Sequence, residues 1–247
     1  MIGWGVRVMV LLRALAIQGS WNYETLTGTG FGFAILPALR SIYRDDPEGL
    51  DAAVRRHEGR FNSHPFLAPL ALGAVIRMEA DGEDPAVIDR FKSAVMGSLG
   101  TLGDQLIWTG VRPAGIVVAL ALVLLGAPWW VAVFVFLALF NAVHLALMAW
   151  GFHVGFAEGL GVGDRLRRTL VNRLQPQRLA VGGFLSGVLM ALMVVRGSRA
   201  LEGPGWMWIV LAAAVAAGAV WGRAAWRVAV AGMVALCGVG LLTGMLV

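Results

Sequence analysis

Apolar residues are distributed along this chain in two regimes. From residue 114 onward they form long, nearly unbroken runs: Ala114 to Gly126, Trp129 to Trp150, Leu179 to Val195, Trp206 to Trp221, and Val228 to Val247. A straight helical span of a bilayer needs about 20 apolar residues, with about 17 tolerated, and the last four runs qualify. The first is shorter and is parted from the second only by Gly126-Ala127-Pro128. That predicts either half of a hairpin or a helix extended backwards through Trp108. Trp129, Trp130, Trp150, Trp206, Trp208 and Trp221 stand near run ends, where an aromatic belt belongs. The pattern predicts an all-α, polytopic membrane protein.

The first half is patterned differently. Met1 to Ile17 is apolar but carries Arg7 and Arg13 and lacks a small-residue cleavage site, so it reads as a retained amphipathic or interfacial helix. Ten of the fifteen acidic residues lie between Asp45 and Asp89, in the polar stretches Arg44 to Arg60 and Arg77 to Lys92. Between them, Phe66 to Ile76 is too short to span a bilayer, and Pro65 and Pro69 predict an interrupted or re-entrant helix. Such backbone is tolerated at membrane depth only under a cover of protein or a water-filled cavity. The chain thus divides into an amphipathic and re-entrant helical region, 1–113, and a transmembrane helical region, 114–247.

Composition agrees with this class. The hydrophobic fraction is 58%, mean hydropathy is +0.75, and 14% of residues are charged, against about 25% in soluble domains. The net charge of +5 does not point to nucleic acid. Lys92 is the only lysine, and the arginines cluster beside apolar runs, as positive-inside topology requires. Arg165, Arg167, Arg168, Arg173 and Arg178 share one loop; placing it in the cytoplasm puts the first half inside and Val247 outside. Cys237, the single cysteine, reads as a small core hydrophobe.

Chemistry-bearing residues fall in three clusters. Gln18-Gly-Ser-Trp-Asn-Tyr23 sets two amides, a hydroxyl and an indole side by side. Hydroxyl-rich ligands call for neutral donors and acceptors with a flat apolar face; a helix-to-loop junction capped by Ser20 or Asn22, with Trp21 at the membrane interface, accounts for the segment equally well. Phe61-Asn-Ser-His-Pro-Phe66 adds an amide and an imidazole. Gly97 to Pro113 is glycine-rich and offers Asp104, Gln105, Trp108, Thr109 and Arg112. A glycine-mediated helix contact with a capping Asp104 is the plainer reading of it. Gly28-Thr-Gly-Phe-Gly32 lacks the spacing and βαβ context of a nucleotide loop and reads as a close helix approach. His57, His64, His144 and His153 lack metal-ligand spacing. His57, in a charged run, reads as solvated or structural, and His144, mid-span, as a side chain seeking an interhelical hydrogen bond. No nucleophile–base pair or paired carboxylates stand at a workable spacing, so neither an enzyme nor a cofactor is indicated.

Taken in order, these residues resemble the IID membrane subunit of the mannose/fructose/sorbose family of the bacterial phosphotransferase system. The likeness runs through Gln18 to Tyr23, Gly30-Phe-Gly-Phe33, Pro37-Ala38, Arg55-Arg-His57, Phe61-Asn62, Pro65-Phe66, Lys92, Met96-Gly97, Gly103-Asp104, Trp108, Val111-Arg-Pro113 and Phe140-Asn141. It covers roughly Leu12 to Glu158; Gln105 departs from it, where proline is usual. The resemblance implies a multi-pass protein of the bacterial plasma membrane that pairs with a IIC subunit of related inverted architecture. A hexose would cross between the two and be phosphorylated by IIB, which IIA serves; the IID subunit is not itself phosphorylated. On that basis Gln18, Trp21, Asn22, Asn62 and Asp104 are expected to meet in a polar cavity facing the partner. The amides would bond sugar hydroxyls, Trp21 would cover a ring face, and Asp104 would accept from a hydroxyl or orient its loop. The alternative is a non-transporting scaffold or regulatory paralogue.

Overall fold

The computed structural model describes residues 2–163, which are all-helical apart from two isolated bridges. The apolar runs expected from Leu179 onward, the arginine loops between them and Cys237 lie outside the described residues. The order is α1 (Trp4–Ala14), α2 (Gly28–Ile42), α3 (Pro47–Glu58), α4 (Ala68–Ala80), α5 (Pro85–Gly103), a π-helical segment (Asp104–Val111), α6 (Arg112–Leu124) and α7 (Trp129–Glu158), closed by a 3₁₀ turn at Gly159–Gly161. Two compact units contain these elements. Residues 2–112 and 138–163 belong to the first, and residues 113–137 to the second.

Local chemistry sets the helix ends. Asp46 accepts from Gly49 N at 2.9 Å and Asp84 from Ala86 N at 2.7 Å, and Pro47 and Pro85 follow at the first helical position. This arrangement satisfies an orphan amide and pre-sets the backbone. Pro69 likewise opens α4 rather than breaking it. The interruption expected there is absent, because the prolines stand before and inside the first turn, where no intrahelical N–H is needed. α4 runs unbroken for 13 residues and is buried on all sides from Leu70 to Ile76.

The first unit is built around α4. Helices α1, α2, α5 and the closing 3₁₀ turn pack on it. α7 reaches it through Gly73 and Gly155: a side chain at Gly73 would strike Phe152 O, and one at Gly155 would strike Leu70 O. The Gly28–Gly32 run does what its spacing predicts, with Gly28 against Gly59 O, Gly30 against Ile17 O and Gly32 against Glu58.

Among the described residues, two helices are long and apolar enough to cross a membrane. The first is continuous from Pro85 to Leu124, through α5, the π segment and α6; the second runs from Trp129 to Gly161. The short run at 114–126 is therefore a helix extended backwards, beyond Trp108, and Gly126 at φ +97° ends its descent into the next turn. α7 is apolar all round, with Trp129, Phe134, Leu139 and Leu145 exposed. That is the pattern of a helix solvated by lipid or by other helices.

Candidate functional site

The three polar clusters come together in the first unit. The loop after α1 folds back on itself: Asn22 N donates to Leu26 O at 3.2 Å, and Leu26 N to Asn22 O at 2.9 Å. Leu26 takes the left-handed conformation, φ 59°, which costs a non-glycine residue about 1–3 kcal/mol and persists only where its surroundings impose it. They do. Phe61 N donates to Thr25 O at 3.2 Å, Thr27 N to Phe61 O at 2.9 Å, and the Thr27 hydroxyl to the same oxygen at 3.0 Å. Asn62 follows directly, so the 18–27 loop and the 61–66 segment form one layer.

His64 joins this layer to the third cluster. Its ring lies 5.8 Å from Trp108 and 5.1 Å from Phe66, both edge-on. Its Cβ and Cγ occupy the space a side chain at position 103 would take, which makes Gly103 a steric requirement. Asp104 begins the π segment close enough for its charge to act on His64. Helix Arg112 lays its guanidinium over Trp108 at 5.0 Å. Asp104 makes no cap here: Gly103 precedes the π segment without a side-chain cap, and the continuous helix needs none.

Four of the five expected site residues stand open. Gln18, Trp21, Asn62 and Asp104 are exposed, with the Trp21 ring edge-on to Tyr23 at 4.9 Å. Asn22 differs. Its Oδ1 accepts from Glu24 N at 2.9 Å and Thr25 N at 2.8 Å, and its Nδ2 donates to Ser20 O at 3.2 Å and Thr25 Oγ1 at 2.8 Å. Two lone pairs and two N–H groups are the whole capacity of the amide. The sequence expectation that Asn22 bonds a ligand meets a side chain already committed to its own loop.

His144 also departs from expectation. In place of an interhelical hydrogen bond it stacks on Phe66 at 3.8 Å and 7° between planes, and Phe140 meets the same ring edge-on at 5.4 Å. Two groups gave no signal of pairing in the sequence, Tyr43 and Glu79. The Glu79 carboxylate, buried at the end of α4, accepts from Arg56 at 2.6 Å and His57 Nε2 at 2.6 Å on Oε1, and from Tyr43 OH at 2.6 Å on Oε2. Lys92 closes the group by donating to Arg56 O at 2.9 Å. Burial raises the Glu79 pKa, but the bonds from His57, Tyr43 and Arg56 outweigh it and hold the group down to about 2. Burial also pushes His57 below its ordinary value, so the imidazole is neutral and donates from Nε2. Among the described residues no group of three or more His, Cys, Asp or Glu is placed to hold a metal ion.

A profile of the phosphotransferase-system mannose/fructose/sorbose family IID component matches residues 6–200. The chain belongs to the IID family. Similar IID proteins include the mannose-specific component of Escherichia coli (strain K12), 33% identical over 190 residues, which are 73% of this chain and 65% of that protein. The sorbose-specific component of Klebsiella pneumoniae is 31% identical over 191 residues, 75% of this chain and 69% of that protein. The chain thus spans just under two thirds of the length of the Escherichia coli relative. Among solved structures, it is similar to a chain of the mannose transporter ManYZ in complex with microcin E492, with a TM-score of 0.60 and 30% identity over 78% of this chain and 70% of that one. A second, described only as a membrane protein, gives a TM-score of 0.68 at 30% identity, covering 76% of this chain and 70% of that one. In IID terms, the polar layer built by Asn62, His64 and Asp104 lies within the part of the chain that the family profile covers.

Proposed function

We propose that this chain is the IID subunit of a sugar phosphotransferase system of the bacterial plasma membrane, and that with a IIC partner it forms the path by which a hexose crosses. The carrying observation is the convergence of the 18–27 loop, the 61–66 segment and the start of the π segment in one unit of a IID-family chain. Gln18, Trp21, Asn62 and Asp104 offer the neutral amides, the indole face and the acceptor that a hexose requires, and their exposure leaves them open to a partner. Asn22 shapes the loop that presents Gln18 and Trp21. Phosphoryl transfer belongs to the soluble IIA and IIB proteins, and this subunit supplies binding and passage without catalytic residues of its own.

The test is uptake. Cells lacking their own mannose-type system, given this chain with its IIC partner and the IIA and IIB proteins, should accumulate phosphorylated hexose, and cells lacking this chain alone should not. Assembly of the IIC–IID pair without uptake of mannose, fructose or sorbose would replace transport by the scaffold reading.

A further inference from the structure

One buried polar atom in the layer has no use in the fold. His64 is 3% exposed, and its Nδ1 accepts from Phe66 N at 3.3 Å. Nδ1 being an acceptor, the proton sits on Nε2. That N–H has no hydrogen-bond partner among the described residues. A buried donor left unpaired costs about 1–3 kcal/mol, so such groups are kept where something else uses them.

The surroundings say what that is. His64 is flanked by Trp108, 47% exposed, by the stacked pair Phe66 and His144, and by the open carboxylate of Asp104. Trp108 lies on an eight-residue π-helical segment. This register is rare, mostly confined to single turns, and frequent at functional sites. Aromatic faces, one neutral donor and one carboxylate acceptor are the groups that recognise a pyranose: ring C–H on an indole, hydroxyls on the donor and acceptor.

On the reading that this subunit forms a hexose path, we propose that His64 is a substrate-contacting specificity residue: its Nε2–H, closed to solvent in this conformation, donates to one hexose hydroxyl beside Trp108 when the path opens to substrate. Gly103 keeps the imidazole at this crossing, and Phe66 N fixes its tautomer.

Two near-isosteric variants separate this role from a structural one. His64→Asn keeps an acceptor for Phe66 N where Nδ1 was and loses the distal donor; His64→Gln keeps an N–H near the position of Nε2. Each is assembled with the IIC partner and read by uptake of a hexose and its singly deoxygenated analogues. The wild type should discriminate against one deoxy analogue. His64→Asn should raise the half-saturation concentration for the parent hexose about 5- to 150-fold and erase that one discrimination, leaving the others. His64→Gln should retain most of both. If His64→Asn assembles and keeps the full deoxy profile, or if His64→Gln loses it to the same extent, the assignment of His64 is overturned while the transport reading stands. Absence of any hexose uptake by the assembled wild type overturns both.

Discussion

Asn22 shows how a residue can look like a ligand contact in sequence and serve as architecture in the fold. Its amide closes a loop through four bonds, two of them to backbone N–H groups that would otherwise lack a partner on the chain. Asn22→Ala should therefore lower stability, by about 0.5–2 kcal/mol on the scale of lost side-chain caps, and raise the half-saturation concentration by loosening the loop that carries Gln18 and Trp21. Asn22→Asp keeps the two bonds accepted from Glu24 N and Thr25 N but loses both that Nδ2 donates, so it should lose less of both properties than Asn22→Ala. Melting temperature and uptake measured together decide the point, since a direct sugar contact through Nδ2 would cost affinity in both variants and stability in neither. The amide-rich composition of 18–23 was legible as a polar site, but which amide bonds inward depends on the left-handed turn at Leu26. Nothing in a leucine announces that turn. His64 does not declare itself in the sequence for a related reason: which of its nitrogens is left unpaired follows from Phe66 N, two residues on, taking the other one.

At the scale of elements, a single carboxylate ties the end of α2 and α3 to α4, and Lys92 joins α5 to the group through Arg56 O. The two polar stretches on either side of α4 were plain in the sequence, and the close approach at Gly28 to Gly32 could be read from spacing. The pairing of Tyr43, Arg56 and His57 with Glu79 could not, because its members lie 22 to 36 positions from Glu79 and nothing periodic links them. The backward extension of the 114–126 run was one of two readings, and the glycine-rich segment settles it by continuing as π helix instead of breaking. The network also predicts how the fold answers to acid. His57 is lowered from 6.5, so the unfolded chain takes up a proton that the folded one refuses, and stability falls as pH drops below about 6.5. Glu79 is held at about 2 against an ordinary 4.5, so its contribution is complete above 4.5 and is lost as pH falls from there toward 2. Thermal unfolding of the assembled complex should thus weaken in two steps on acidification. Glu79→Gln should remove the lower step and cost about 3–5 kcal/mol at neutral pH, by leaving Arg56 buried without its counter-charge. A melting temperature flat from pH 7 to pH 4 would show that this group does not carry the stability assigned to it.

For the molecule as a whole, the open side of the site matters more than any one contact. Gln18, Trp21, Asn62 and Asp104 are exposed on this chain, and in contact with water a hydrogen bond to a sugar hydroxyl merely replaces one to water and yields little. On the hexose-path reading, affinity requires that water be excluded from these groups, as a partner surface laid over them would do. The apolar exterior points the same way for stability. Trp4 is 78% exposed on α1 and Phe134 68% on α7, apolar surface that lipid or another protein would have to cover. The subunit expressed alone should be poorly stable or aggregate, and co-expression with its IIC partner should rescue it. Titrated in detergent, the rescued pair should bind hexose at least about tenfold more tightly than whatever soluble IID subunit is recovered by itself, a difference of about 1.4 kcal/mol. Calorimetry on the two preparations makes the comparison directly. A stable, isolated subunit that binds hexose as tightly as the pair would mean that the sugar site is closed within one chain, and that the exposed amides face something other than the partner.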